Sequence, residues 1–450
     1  MSNDTEEPAE LLEDASELLL NLSQDLRDLY SFRDLFFENH PFEMASEKNK
    51  CVEEKKQKLV EKFENIDVDT QIPFSHRAEF LYLKGRCYNI SSVYDPQAAQ
   101  CLSKAVKLNP NLVSAWNELG ECYLKNMNVK EAKNSFEGAL KHERNRVALR
   151  CLSIILRQEN TGSASEAKSA ILASVVMAKE AVAQDTKDGI SWTVLGNAYL
   201  CQFFMVKQDP ATLKLCMSAY KQAWSDPIAR GQPDLYYNKG VALKYEEQYN
   251  EALEMFRTAM QLDPGWAPAV RELTALKAHL AAATTLVRTR GRIKAKRLAN
   301  MVRSIDQRML GDYLPQNFQT FGNRKDVLLE HVTLDKLQDG SNENKVILGR
   351  VVGSIHHENC VPFTFALTDA STLCVLVSVY NWAEGRGPVV GDAVALPEPV
   401  LEHHQGTHDD LEYEFKSIRV NNPLYLLING KRVNRCQFAC TRVKSTYEIH

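Results

Sequence analysis

Residues 116–140, WNELGECYLKNMNVKEAKNSFEGAL, constrain the fold more than any other stretch of the chain. Trp116, Leu119 and Tyr123 recur three and four residues apart, so they share one face of a helix. Gly120 lies on that face, where the missing side chain lets a second helix approach. After a polar turn, Ala132, Phe136 and Ala139 form the matching face of the second helix, with two small residues flanking a large one. The stretch predicts a helix–turn–helix unit.

The unit recurs. Leu81, Lys84, Gly85 and Tyr88 precede Ala98, Leu102, Ala105 and Pro110. Trp192, Leu195, Gly196 and Tyr199 repeat the first helix, and Tyr220 and Ala223 close that unit after an insertion of about eight residues. Tyr236, Lys239, Gly240 and Leu243 open another, finished by Ala252, Phe256, Ala259 and Pro264. Leu149, Leu152, Ser153 and Leu156, with Ser174, Ala178 and Ala181, fit a degenerate copy. This spacing is the signature of the tetratricopeptide repeat, a unit of about 34 residues. Five repeats are expected, at about 78–112, 113–145, 146–188, 189–232 and 233–266. None can bury its apolar face alone, so they stack into a right-handed superhelix with a concave groove.

At 450 residues the chain has room for more than one domain. Hydrophobic residues at 44% and charged residues at 25% are ordinary for a globular protein. A net charge of −4 argues against bulk nucleic-acid binding while leaving room for local patches. No apolar run approaches the roughly 20 residues of a membrane span, and MSNDTEEPAE has no signal-peptide character. The 11 cysteines are scattered without a C-x-x-C pair, which points to reduced thiols in a cytoplasmic or nuclear protein.

Residues 1–66 read as a helical hairpin that caps the array. Leucines from Leu11 to Leu29 carry a helix to about Asn39, Pro41 ends it, and a Lys/Glu-rich helix follows at about 47–66. A partner-binding role for this hairpin is the alternative. Within the repeats, one stripe on each first helix faces the groove. It holds Asn117, Glu121, Arg157, Thr193, Asn197, Asp234, Tyr237 and Lys244. Asparagines can bond a peptide backbone, Arg157 can clamp a carboxylate, and Asp234 can pair with a cation. The competing reading is a solvated polar face.

Residues 267–304 comprise a capping helix (267–285) and the basic run VRTRGRIKAKRLANMVRS, which includes Arg292, Lys294, Lys296 and Arg297 and no acid. Such a patch suits phosphate contact, and without aromatics it fits backbone or shape recognition of folded RNA. A basic linker or an import signal would look similar. Residues 305–344 read as a linker. From 345 to 445 the pattern alternates, with strands near 346–352, 362–370, 374–382, 391–399, 413–420 and 424–430 and one short helix near 380–385. This suits a small all-β barrel of the OB type.

Nucleotide-binding and hydrolase motifs are absent. His356–His357 and His403–His404–His408 fall in expected barrel loops, and Cys360 and Asp409 lie near, but the spacing matches no paired zinc pattern. The expectation is therefore a protein without enzymatic activity, metal or cofactor.

The repeats, the basic segment and the barrel together resemble the Strap family of tetratricopeptide-repeat proteins, stress-responsive co-activators that also act as tubulin autoregulation factors. The resemblance is carried by LYSFRD (29–34), LSKAVKLNP (102–110), AWNELGE (115–121), SWTVLGNAYL (191–200), KYEEQYNEALEMF (244–256), VPFTFALTD (361–369) and GDAVALPEP (391–399). It implies binding of the nascent tubulin amino terminus, Met-Arg-Glu, at the ribosome and recruitment of an mRNA decay adaptor. In the family's pattern Arg157 would pair with the peptide's Glu and Asp234 with its Arg, while Lys294 and Lys296 would touch ribosomal RNA. One departure is visible. The family has an acid after the D-P-x-W turn, where this chain has Ala267, Pro268 and Ala269, and Glu272 is the candidate substitute.

Two other readings compete. One is a nuclear scaffold holding acetyltransferase co-activators, with the barrel touching DNA. The other is a chaperone adaptor clamping an acidic carboxy-terminal peptide. That clamp needs several cations in the stripe, which offers mainly Arg157 and Lys244.

Overall fold

The computed structural model describes residues 9–158, 162–355, 362–383 and 387–439. It divides into two compact units, one of residues up to 247 together with 254–270, the other of 248–253 and the chain from 271 on. No helix among the described residues is long and apolar enough to cross a membrane.

The first unit opens with α1 (Ala9–Asp34), a single turn α2 (Phe36–Asn39), α3 (Ala45–Glu64) and another single turn α4 (Val68–Gln71). Helices then come in pairs: α5 (Arg77–Tyr88) with α6 (Pro96–Leu108), α7 (Val113–Lys125) with α8 (Val129–His142), α9 (Arg146–Gln158) with α10 (Ala164–Gln184), and α11 (Gly189–Met205) with α12 (Pro210–Ala223). The turn α13 (Pro227–Arg230) leads to α14 (Pro233–Tyr245) and α15 (Tyr249–Leu262).

Local chemistry explains the pairing. A Cβ on Gly120 would sit 2.6 Å from the Phe136 ring, so only glycine lets α7 close on α8. Trp116 and Trp192 each donate their indole N–H to a carbonyl six residues back, on Pro110 at 2.8 Å and Thr186 at 3.0 Å. The tryptophan that opens a repeat thus ties off the loop entering it. Asp95 and Asp209 precede prolines and accept from the N–H two residues on, at 2.9 and 3.1 Å. Each caps a second helix whose first position suits proline's fixed φ.

The amino-terminal helix does not run unbroken to Asn39. It stops at Asp34, because Leu35 leaves the helical region (φ −104°, ψ 19°), and the turn that follows buries Phe36 against the His40 ring at 4.2 Å. Leu22, Leu26 and Leu29 of α1, with Leu59 and Phe63 of α3, bury against Phe80 and Leu83 of α5.

The second unit holds α16 (Ala267–Thr289) from Arg271 on, α17 (Ala295–Arg303) and the strands. Its strands are β1 (Gln319–Phe321), β2 (Arg324–Val327), β3 (Glu330–His331), β4 (Gly340–Ser341), β5 (Lys345–Ile355), β6 (Phe363–Thr368), β7 (Cys374–Val379), β8 (Ala393–Pro397), β9 (Val400–His408), β10 (Leu411–Val420), β11 (Leu427–Ile428) and β12 (Lys431–Arg432). β5, β6 and β7 form an antiparallel meander, and β10 pairs parallel with β7. β8 pairs with β5 and β9 pairs with β10. Only Glu398 (φ 47°) and Pro399 separate β8 from β9. One bent strand therefore serves two neighbours and closes the barrel, around Ile347, Val351, Phe365, Val377, Leu396 and Ile418.

Three expectations about this region are corrected. Residues 305–344 are not a loose linker. Leu310, Tyr313 and Leu329 are buried against Val346, Leu348 and Ala395, covering the face of β5 and β8 opposite the barrel interior. Residues 400–408, read as loop, form β9. No helix forms over the described residues 380–383, where Trp382 makes an isolated bridge to Phe438.

Candidate peptide groove and basic surface

In a stacked repeat array the first helices, here α5, α7, α9, α11 and α14, line the inner face. Arg157 sits half-buried near the end of α9 and donates to Ser153 Oγ at 2.7 Å. Ser153 in turn donates to the Ser174 carbonyl at 2.8 Å, which fixes the guanidinium's base. Asp234 lies in the first turn of α14, directly after Pro233. Its side chain is buried, and Asn197 Nδ2 approaches its Oδ2 at 3.5 Å. Burial pushes the carboxyl up to about 7, against the opposing pull of the Leu235 backbone N–H, Asn197 and the Arg157 charge. The structure thus brings Arg157, Asn197 and Asp234 into one polar cluster.

The other stripe residues behave differently. Asn197 is fully buried and is not free to meet a peptide, since its Oδ1 accepts from the Tyr220 hydroxyl at 2.8 Å. Tyr220 reaches it by passing over Gly196, where an added Cβ would collide with the ring. Tyr237 is also buried, with its ring centroid 5.8 Å from Phe256 and 5.1 Å from Trp266, so it belongs to the helix packing. Thr193 is buried and donates to the Gly189 carbonyl at 3.0 Å. Asn117 donates to Asn145 Oδ1 at 3.0 Å, which also accepts from Ala148 N at the start of α9. Asn117 therefore couples two repeats and stands apart from the Arg157–Asp234 cluster. Glu272, proposed as a replacement acid, is half-buried on α16.

A charged network that the stripe anticipated only at Glu121 covers the inner face of the first repeats. Arg86 of α5 pairs with Glu118 of α7 at 3.1 Å, and Asn89 donates to the same carboxylate at 2.9 Å. Arg150 of α9 pairs with Asp188 at 3.2 Å. Lys125 donates to Asn89, and burial pulls its ammonium down to about 8. Glu121 is raised by burial and by neighbouring Glu118. Glu118, Glu121 and Lys125 recur at helical spacing, which was the available signal. Into this network α1 inserts Tyr30 and Arg33, whose guanidinium lies 4.5 Å from the Tyr30 ring.

The basic segment is an ordered element. Arg292, Lys294, Lys296 and Arg297 are all exposed. Arg290, Gly291 and Arg292 take positive φ in succession (49°, 66° and 57°), turning the chain between α16 and α17. A Cβ on Gly291 would run into the Val352 carbonyl of β5, so glycine is required by both conformation and space. Arg350 of β5, almost fully buried, donates to the carbonyls of Ser304 (2.7 Å), Gly391 (2.8 Å) and Met301 (3.3 Å) and to Ser304 Oγ (2.9 Å). It bonds carbonyls at the carboxyl end of α17 and so ties that end to β5.

The histidines of β9 are not loop residues. His404 and His408 are buried, and His403 lies near the surface. Their ring nitrogens meet three separate partners, Glu414 at 3.2 Å (His403), Ser417 at 2.9 Å (His404) and Asp409 at 3.2 Å (His408). His356, His357 and Cys360 lie outside the described residues.

Similarity to known proteins agrees with this architecture. Residues 328–442 match the model of the tetratricopeptide repeat protein 5 OB fold domain, and 101–134 and 233–265 match tetratricopeptide repeats. The chain is 41% identical to tetratricopeptide repeat protein 5 of Mus musculus over 434 residues, 96% of this chain and 98% of that one. It is 42% identical to the Homo sapiens protein of the same name over 421 residues, covering 93% and 94% of the two chains. The repeat array presents an inner helix face suited to protein partners, and the second unit is the OB fold domain that follows it. The chain therefore belongs to the tetratricopeptide repeat protein 5 family (the Strap family) and is a repeat-type protein-interaction adaptor.

Proposed function

We propose that this adaptor recognises the nascent amino terminus of tubulins, Met-Arg-Glu, at the ribosome and triggers decay of the tubulin message during translation. The observation that carries the reading is the Asp234 carboxyl. It is buried and held near pH 7 because its desolvation is incompletely offset by its neighbours. A buried acid in that condition gains most from an incoming cation. Arg157, close enough for its charge to act on Asp234, offers the opposite sign. A peptide with adjacent Arg and Glu matches the two. Arg292, Lys294, Lys296 and Arg297, exposed on a fixed turn and helix, would meet ribosomal RNA through its phosphates. A recruited mRNA decay adaptor completes the function, which places the protein in the cytoplasm while it acts.

Fluorescence anisotropy with a labelled peptide beginning Met-Arg-Glu tests the groove. Binding by the natural chain that is lost in Arg157→Ala and Asp234→Asn supports it. A peptide bound equally by all three overturns it. Ribosome sedimentation of Lys294→Glu with Lys296→Glu tests the basic surface, where unchanged sedimentation would refute the RNA contact.

A further inference from the structure

We propose that the outer face of α10 is a docking seam for an amphipathic helix of a partner protein, one whose apolar stripe is flanked by acidic side chains. The second helices of a stacked array face away from the groove. The seam therefore does not depend on what the groove binds.

α10 runs 21 residues, against 14 for α8 and 14 for α12, and a Ser163–Glu166 capping box starts it. One side buries Ile171, Val175, Ala178 and Val182 in the array. The opposite side of a surface helix is ordinarily charged. α8 follows that rule, with Lys130, Glu131, Asn134, Glu137, Lys141 and His142 at its exposed positions. α10 breaks it. Its exposed positions from 169 to 183 are Ser169, Leu172, Ala173, Val176, Lys179 and Ala183. Leu172 is 45% exposed and Val176 64%. A helix that is apolar on both sides is ordinarily covered on both. Among the described residues, the array covers one side of α10 and the other stands open.

The spacing gives the shape of the missing cover. Ser169, Leu172, Val176, Lys179 and Ala183 follow one another by alternating steps of three and four residues. That is the rhythm of a two-helix seam, about 3.5 residues per turn. An extended peptide has no use for this repeat, whereas a helix lying nearly parallel to α10 meets each position in turn. Ser169, Ala173 and Ala183 are small enough for its backbone to come close, and Leu172 and Val176 supply the central apolar contact.

Charge sets the flanks. Lys168 is exposed beside the seam, and Lys179 lies on it, its ammonium 5.7 Å from the Tyr199 ring centroid. The neighbouring carboxylates are already engaged, Glu166 in the capping box and Glu180 by Arg144 at 2.8 Å. A second copy of the chain would bring two more lysines to the seam, with its own carboxylates engaged in the same way. A helix with acids beside its apolar stripe, spaced to match the roughly 17 Å between positions 168 and 179, answers both lysines.

The test uses the full chain and two labelled three-heptad peptides. Both carry leucine and alanine at the contact positions; one has glutamate at the flanking positions and the other lysine. In fluorescence anisotropy the natural chain should bind the acidic peptide at least about tenfold more tightly than the basic one. Leu172→Gln with Val176→Gln, which changes only exposed side chains, should weaken the acidic peptide at least about tenfold. Lys168→Glu with Lys179→Glu should reverse the order of the two peptides. Glu137→Gln with Lys141→Gln, on the outer face of α8, should leave both affinities unchanged. Equal affinity for the two peptides overturns the proposal, as does no binding of either up to about 100 μM or a loss no greater in the α10 variant than in the α8 variant. A dimer of the natural chain in sedimentation velocity that Leu172→Gln with Val176→Gln abolishes also overturns it, since the occupant is then a second copy. Should a variant fail to fold by circular dichroism, the preference of the natural chain between the two peptides still decides.

Discussion

Asp234→Asn should stabilise the repeat array, and by an amount that depends on pH. The carboxyl is buried, and burial raises it from the ordinary aspartate value of 3.8 to about 7. Between those values the folded chain keeps a proton that the unfolded chain has released. Stability is then complete below the lower value and falls as pH rises through the window, by about 1.4 kcal/mol per pH unit. Across roughly three pH units the cost of keeping aspartate reaches on the order of 4 kcal/mol, and it stays constant above pH 7. Asparagine has nearly the same shape and keeps one carbonyl oxygen as an acceptor but never ionises. The assay is urea unfolding of the full chain, followed by helical circular dichroism from pH 4 to pH 8, for both proteins. Other carboxylates contribute equally to each curve, so the difference between the curves is diagnostic. It should be near its minimum at pH 4, grow in favour of the variant and level off near pH 7. A difference that is flat with pH, or that favours aspartate at pH 8, would refute the claim that desolvation dominates at this carboxyl.

Peptide binding should show the opposite pH trend. A cationic partner needs the Asp234 carboxylate, so affinity for the Met-Arg-Glu peptide should tighten from pH 6 to pH 8, and Asp234→Asn should flatten that profile in the same anisotropy titration. Gly120→Ala drives a methyl into the Phe136 ring and should cost about 1–3 kcal/mol in the same unfolding assay. Arg350→Met should cost about 3 kcal/mol, because it removes four hydrogen bonds made by one nearly buried guanidinium; hydrogen exchange over 295–304 should rise, and an unchanged rate would show that α17 is held by other contacts. Gly291→Ala should lower the thermal midpoint of the second unit through its clash with the Val352 carbonyl, whereas Gly322→Ala, with open space around it, should shift it less.

The repeat array was legible because its physics is local. Glycine, an aromatic ring and two alanines at fixed offsets define the contact of one helix pair, and each recurs within a few dozen residues. Arg157 and Asp234 could be placed on the inner stripe from helical angle alone. Angle could not show what neighbours do to that stripe. Asn197 has a suitable position, yet Tyr220 from the partner helix reaches under it. Position 220 was the missed signal: its counterparts are Phe136 and Phe256, and a buried tyrosine needs a partner for its hydroxyl that phenylalanine does not. Tyr30 and Arg33 were equally hidden, because their contacts lie more than fifty residues away in sequence. In the barrel, β9 escaped notice because its buried positions, Leu401, His404 and His408, do not alternate strictly and two of them are histidine. The 305–344 segment was misread because few apolar residues, Leu310 and Tyr313 among them, suffice to cover one face of β5.

Arg350 gives the basic surface a property that composition cannot supply. With α17 tethered at its carboxyl end to β5, and Gly291 seated against the same strand, the spacing of Lys294, Lys296 and Arg297 is set before any polyanion arrives. A floppy run of the same charges would wrap equally well around heparin, single strands or folded RNA, and would lose conformational freedom each time. A fixed template loses little, but it rewards only phosphates whose own spacing is already correct. Selectivity among polyanions of equal charge density would then come from a buried arginine that touches none of them.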